Sequence, residues 1–181
     1  SNVFESNGDC PMSTLSVDTI QGKTTAGTVA MPAGYIIQTL STTKTDDFSM
    51  SAQSYADVTG LSVTITPKFN TSKILVRYVV YACNPDSGSE FQVVRGSTAI
   101  LNGTGTGTVA SDTGISYEQG TATMECVAHE FLDSPATTSA TTYKIQVRRN
   151  AAGSGGAAYV NRDVTGAAKS SSTITAMEIA Q

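Results

Sequence analysis

Tryptophan is absent from this 181-residue sequence, and histidine occurs once, at His129. A single imidazole supplies no Ser, His and Asp constellation to argue for, and alone it cannot build a zinc site. Its neighbours Glu130 and Asp133 point to opposite faces if the segment is a strand, so a structural or surface histidine is expected. Charged residues are 14% of the chain, against roughly 25% in an average soluble domain. The eleven Lys and Arg are scattered. Without a basic stripe to neutralise phosphates, nucleic acid is not an expected partner. No run of eighteen apolar residues occurs, and the first residues lack the basic start and apolar stretch of a signal peptide. Neither membrane nor secretory pathway is therefore expected. Cys10, Cys83 and Cys126 are odd in number and unrelated in spacing, which argues against a disulfide framework or a C-x-x-C metal site. Cys83 and Cys126 lie in apolar stretches, where a free thiol acts as a small hydrophobe.

What the sequence does contain is Ser, Thr, Gly and Ala, interrupted by strand patterns. In residues 61–66, Leu61, Val63 and Ile65 alternate with Ser62, Thr64 and Thr66, the period-2 signature of a half-buried strand. Residues 73–82 differ. There Ile74, Val76, Tyr78 and Val80 share one face while Leu75, Val79 and Tyr81 share the other, so both faces want cover. Further strands are expected at 35–40, 54–59, 90–96, 122–132, 141–150, 157–161 and 172–180, with Gly, Pro, Asn, Asp and Ser in the gaps. No sustained i, i+3, i+4 apolar pattern predicts a helix. Eight to ten strands in about 145 residues predict an all-β fold, an antiparallel β-sandwich or jelly roll.

At this length one good-sized core is expected, preceded by an arm. Residues 1–34 have few bulky apolar side chains and are read as an N-terminal arm or short stalk, with 35–181 as the sandwich. Leu15, Val17 and Ile20 bury little alone. Three copies in register could close a small core, or the arm could add strands to another protein. The outward face of 73–82, at Leu75, Val79 and Tyr81, predicts self-association around an axis.

Chemical motifs are few. The NGTGTGT stretch at 102–108 lacks the Gly-Lys-Ser/Thr ending of a phosphate-binding loop. Asp46 and Asp47 lack the further oxygen ligands of a calcium loop. Arg148, Arg149 and Arg162 are candidates to meet carboxylates of the same assembly or a glycan. No catalytic residue, metal ligand or cofactor is predicted.

The run PAGYIIQTLSTT, then YADVTGLSVTITPKFNTSKILVRYVV, FQVVRGSTAI, YKIQVRRN and STITAMEI resembles small fibre-like structural proteins of bacteriophages that infect cyanobacteria and other aquatic bacteria. LSVDTIQG resembles the short element at their head. The resemblance implies a trimeric β-sandwich knob, similar to the C1q and tumour-necrosis-factor group, on an N-terminal arm. It further implies a non-enzymatic virion homotrimer; the short stalk favours the capsid over the tail, and the arm's Leu15, Val17 and Ile20 are read as its anchor to a major capsid protein or tail component. The alternative expectation is a receptor-binding tip that meets bacterial surface glycan through Tyr117, Tyr159 and Arg162.

Overall fold

The computed structural model describes residues 20, 29, 31–85, 88–100, 114–116, 123–150 and 156–181. Leu15, Val17, Tyr117 and the glycine-rich stretch 102–108 lie outside these residues. Among the described residues there is no helix, and eleven strands run in chain order: β1 (Ile36–Lys44), β2 (Phe48–Met50), β3 (Ala56–Ile65), β4 (Lys73–Cys83), β5 (Ser89–Arg95), β6 (Thr98–Ile100), β7 (Gly114–Ser116), β8 (Glu125–Asp133), β9 (Thr141–Arg149), β10 (Ala158–Val160) and β11 (Ser172–Ile179).

The strands form two antiparallel sheets, an all-β sandwich of the expected class. The first sheet has the order β1-β11-β4-β10-β2, with β8 on the other edge of β4. The second has the order β3-β9-β5-β6, with β7 also pairing β5. Along β3, β4, β5 and again along β8, β9, β10, successive strands alternate between the sheets, so those connections wrap over an end of the sandwich. The core fills the gap. Ile74, Val76, Tyr78, Val80, Ile174 and Ala176 of the first sheet meet Val63, Ile65, Phe91, Val93, Tyr143, Ile145 and Val147 of the second. Each full burial of such a side chain is worth about 1.5–3 kcal/mol, and the alternation read from the sequence fixes which side chains enter.

One expectation is corrected. Residues 54–59 and 61–66 are not two strands but the single strand β3, which crosses Gly60 without ending. Gly60 takes φ +82°, a left-handed conformation open to glycine at no steric cost, and the strand bulges there. Asp57 opposes Gln146 and Ser62 opposes Lys144, so residues 58–61 face Ile145 alone. Of the four described three-residue strands only β10 was expected, at 157–161; β2, β6 and β7 had no expectation.

Polar side chains inside the sandwich secure its ends. Glu178 is fully buried on the inner face of β11 and accepts hydrogen bonds from the backbone N–H of Lys68 (2.8 Å) and Phe69 (3.2 Å) and from Gln38 Nε2 (2.6 Å). That ties the β3–β4 connection to β11. Asn161, left-handed at φ 63°, a conformation Asn tolerates, turns the chain after β10. Its side-chain amide donates to the carbonyls of Lys44 and Asp46, and its Oδ1 accepts from Ser172 Oγ at 2.6 Å.

Candidate functional site

The outward face of β4 is the first candidate surface. Ile74, Val76, Tyr78 and Val80 point into the core, whereas Leu75, Val79 and Tyr81 point outward and are only half-buried. Cross-strand register extends this row on both sides. Leu75 stands between Leu132 of β8 and Met177 of β11; Val79 stands between Ala128 and Thr173; Tyr81 stands beside Cys126. Leu132 is 49% exposed. Between the two apolar rows Arg77 stands opposite Glu130, and Lys73 begins the same side of β4 beside Ile179. Toward β1 the face turns to hydroxyls, with Ser41 Oγ 2.9 Å from Thr175 Oγ1.

Cysteine placement departs from expectation in one instance. Cys83 is buried, as an apolar stretch suggests, but Cys126 is exposed beside Tyr81 on the outward face. His129 lies on the inward-pointing side of β8, opposite Tyr78, yet is exposed, with Nδ1 2.9 Å from the Glu130 carbonyl. Glu130 and Asp133 do point to opposite faces. Asp133 turns inward, where Arg95 Nη1 reaches both carboxylate oxygens at 2.8 Å and Tyr143 Oη donates to Oδ2 at 2.6 Å. This triad joins β5 and β9 of the second sheet to β8 of the first. Burial, and then the neighbouring Asp133 carboxylate, push the Tyr143 phenol well above the ordinary tyrosine range, so it stays a protonated donor.

The second surface is the outward face of the second sheet, which the sequence reading did not single out. Side chains there pair across three strands. Arg148 bonds Glu90 through Nε and lies over the Tyr55 ring, 4.7 Å from its centroid. Gln92 Nε2 donates to Gln146 Oε1 (2.6 Å), Gln146 Nε2 donates to Asp57 Oδ1 (2.6 Å), and Lys144 Nζ donates to Asp57 Oδ2 (2.8 Å). Thr64 and Thr142 hydroxyls meet at 2.7 Å. The Lys144 ammonium and the Gln146 amide hold the Asp57 carboxyl below its usual range. Arg148 thus finds its carboxylate within its own chain.

The expected glycan contacts are only in part together. Arg162 lies over the Tyr159 ring, 4.9 Å from its centroid, but its guanidinium also donates to the carbonyls of Asp163 (3.0 Å) and Val164 (2.8 Å). It braces its own turn. Ile20 is 66% exposed. Asp46 pairs with Lys44, whose side chain is almost wholly buried, at 2.7 Å, and Asp47 pairs with Lys169. Among the described residues no group of three or more His, Cys, Asp or Glu is placed to hold a metal ion.

No protein-family model and no curated protein matches the chain. Among solved structures it is similar to that of the infectious bursal disease virus Gx strain, at 15% identity and TM-score 0.41, over 94% of this chain and 43% of that one. It is also similar to the VP2 subviral particle of infectious bursal disease virus, at 16% identity and TM-score 0.38, over 80% of this chain and 38% of that one. This chain spans less than half the length of either.

Proposed function

We propose that the protein is a non-enzymatic virion structural protein, a homotrimeric decoration or fibre protein of a bacteriophage surface, with the capsid favoured over the tail. In this reading residues 1–34 form an anchoring arm that grips a major capsid protein or tail component through Leu15, Val17 and Ile20. Residues 35–181 form the knob, and its trimer interface is the outward face at Leu75, Val79 and Tyr81. The observation that carries the reading is the continuation of that face, in register, to Leu132 and Met177. Contiguous outward apolar rows on a sheet are uncommon on monomers and mark interaction surfaces. The sequence resemblance to phage fibre-like proteins supplies the setting.

The test is the mass in solution, by size-exclusion chromatography with light scattering, of the full chain and of residues 34–181. Three chains of 18.7 kDa give about 56 kDa. A trimer in both forms assigns self-association to the sandwich and leaves the arm to grip the particle. A trimer that disappears with the arm makes the arm a stalk. A monomer in both forms defeats the reading.

A further inference from the structure

The bulge in β3 has a second effect besides letting two expected strands become one. Four residues stand against Ile145 of β9, and one residue's N–H and C=O cannot answer four in a ladder. A cleft of about 360 Å³ opens there, lined by residues 57–60 and 62 of β3 and by Thr142 and Lys144 of β9. That volume lies within the roughly 300–1,000 Å³ of small-ligand sites. Gly60 contributes no side chain, and a Cβ there would meet only Lys44 Nζ at 3.9 Å, so the cleft is not filled from within.

The chemistry of the lining selects a ligand. The two charged groups answer each other: Lys144 Nζ is 2.8 Å from Asp57 Oδ2, and Gln146 holds the other carboxylate oxygen at 2.6 Å. A cation would compete with Lys144 and an anion with Asp57, so neither finds a net opposite charge. The remaining lining is the buried Val58, Gly60 and the hydroxyls of Thr59, Ser62 and Thr142, each hydroxyl able to donate and accept. Both charged side chains are held in place before a ligand arrives, which lowers the ordering cost of binding. Tyr55, two residues before Asp57, is half-buried under the Arg148 guanidinium and does not line the cleft.

We propose that this cleft binds a neutral saccharide, whose vicinal hydroxyls match a fixed set of alternating donors and acceptors without net charge. The site uses neither Tyr159 nor Arg162, and it lies on the opposite sheet from the proposed trimer interface. Its failure would leave the oligomeric mass unchanged, so the two readings fail separately.

The experiment applies the fluorescently labelled full chain to an array of immobilised oligosaccharides, with neutral hexose and N-acetylhexosamine members beside sulfated and sialylated ones. Ser62→Arg and Thr142→Arg fill the cleft from two walls at exposed or half-exposed positions. Thr66→Arg adds the same charge at an exposed position outside it, and circular dichroism verifies folding of all three. Expected is capture by at least one neutral saccharide, lowered tenfold or more in both cleft variants and unchanged in Thr66→Arg. Capture by no neutral member, capture undiminished in the cleft variants, or equal loss in all three overturns the proposal.

Discussion

The outward faces of the two sheets use the same backbone arrangement for opposite ends. On the first, the positions across β8, β4 and β11 read Leu132, Leu75 and Met177, then Ala128, Val79 and Thr173. On the second, the positions across β5, β9 and β3 carry Glu90 with Arg148, Gln92 with Gln146, and Lys144 and Gln146 with Asp57. On the second face the charged and amide side chains pair within one chain, although Glu90 Oε1 and the Tyr55 hydroxyl are buried without a hydrogen-bond partner among the described residues. The first has apolar rows that no other element of the described chain is seen to cover. A sheet face that is complete needs no partner, and one that is not requires association or carries an aggregation hazard.

The sharpest way to break this contrast is to place the same charge on each face. Val79→Asp is expected to convert the proposed trimer wholly to monomer by burying an unpaired carboxylate in the interface, while Thr64→Asp on the second face leaves the mass unchanged; light scattering reads both. If both remain trimeric, the interface lies elsewhere. The next largest effect belongs to the second face. Glu90 is buried, so Arg148→Ala leaves its carboxylate without that guanidinium, at an expected cost of about 3 kcal/mol. Urea unfolding measures it, and a loss below about 1 kcal/mol would show that the face is not held by this pair.

Smaller still is the join between the sheets. Tyr143→Phe removes one donor from Asp133, whose two bonds from Arg95 remain, and should cost about 1 kcal/mol in the same assay. The smallest effect concerns pH. The Asp57 carboxyl is held below its usual range by Lys144 and Gln146, so its contribution is present above the unfolded value of about 3.9 and is lost as pH falls through the lower folded value. Asp57 is half-exposed, which limits that contribution to less than about 1 kcal/mol. Asp57→Asn should therefore be less stable than wild type at pH 7 and equal to it near pH 2. A gap that persists in acid would assign the effect to packing.

The contrast was half legible beforehand. Residues 73–82 announce two apolar faces because three apolar side chains stand at the second half of the alternation beside only Lys73 and Arg77, and the structure turns Leu75, Val79 and Tyr81 outward as a set. Their neighbours Leu132 and Met177 could not be assigned, since a period of two gives the face of a strand but not which strand lies beside it. The polar face was invisible for the same reason. Asp57 and Lys144 are 87 residues apart and each reads alone as an ordinary solvated charge. Glu178 and Lys44 are charges near strand ends that alternation cannot distinguish from surface residues, yet both are buried. Gly60 was legible as a break but not as a bulge, because a positive φ permits either.

The place of β11 bears on how the molecule is made. Residues 172–179 lie between β1 and β4 in the first sheet, pairing 36–44 on one side and 73–79 on the other. Until that segment has been synthesised, the two earlier strands have no common neighbour, and the apolar inner face of β4 lacks its flank. Folding must therefore wait on contacts spanning about 100 residues or more, the kind of non-local pairing that makes all-β domains slow to fold. During that wait the nascent chain holds β4 with an open edge, and a ribosome that stalls before residue 172 would release a product unable to close its first sheet.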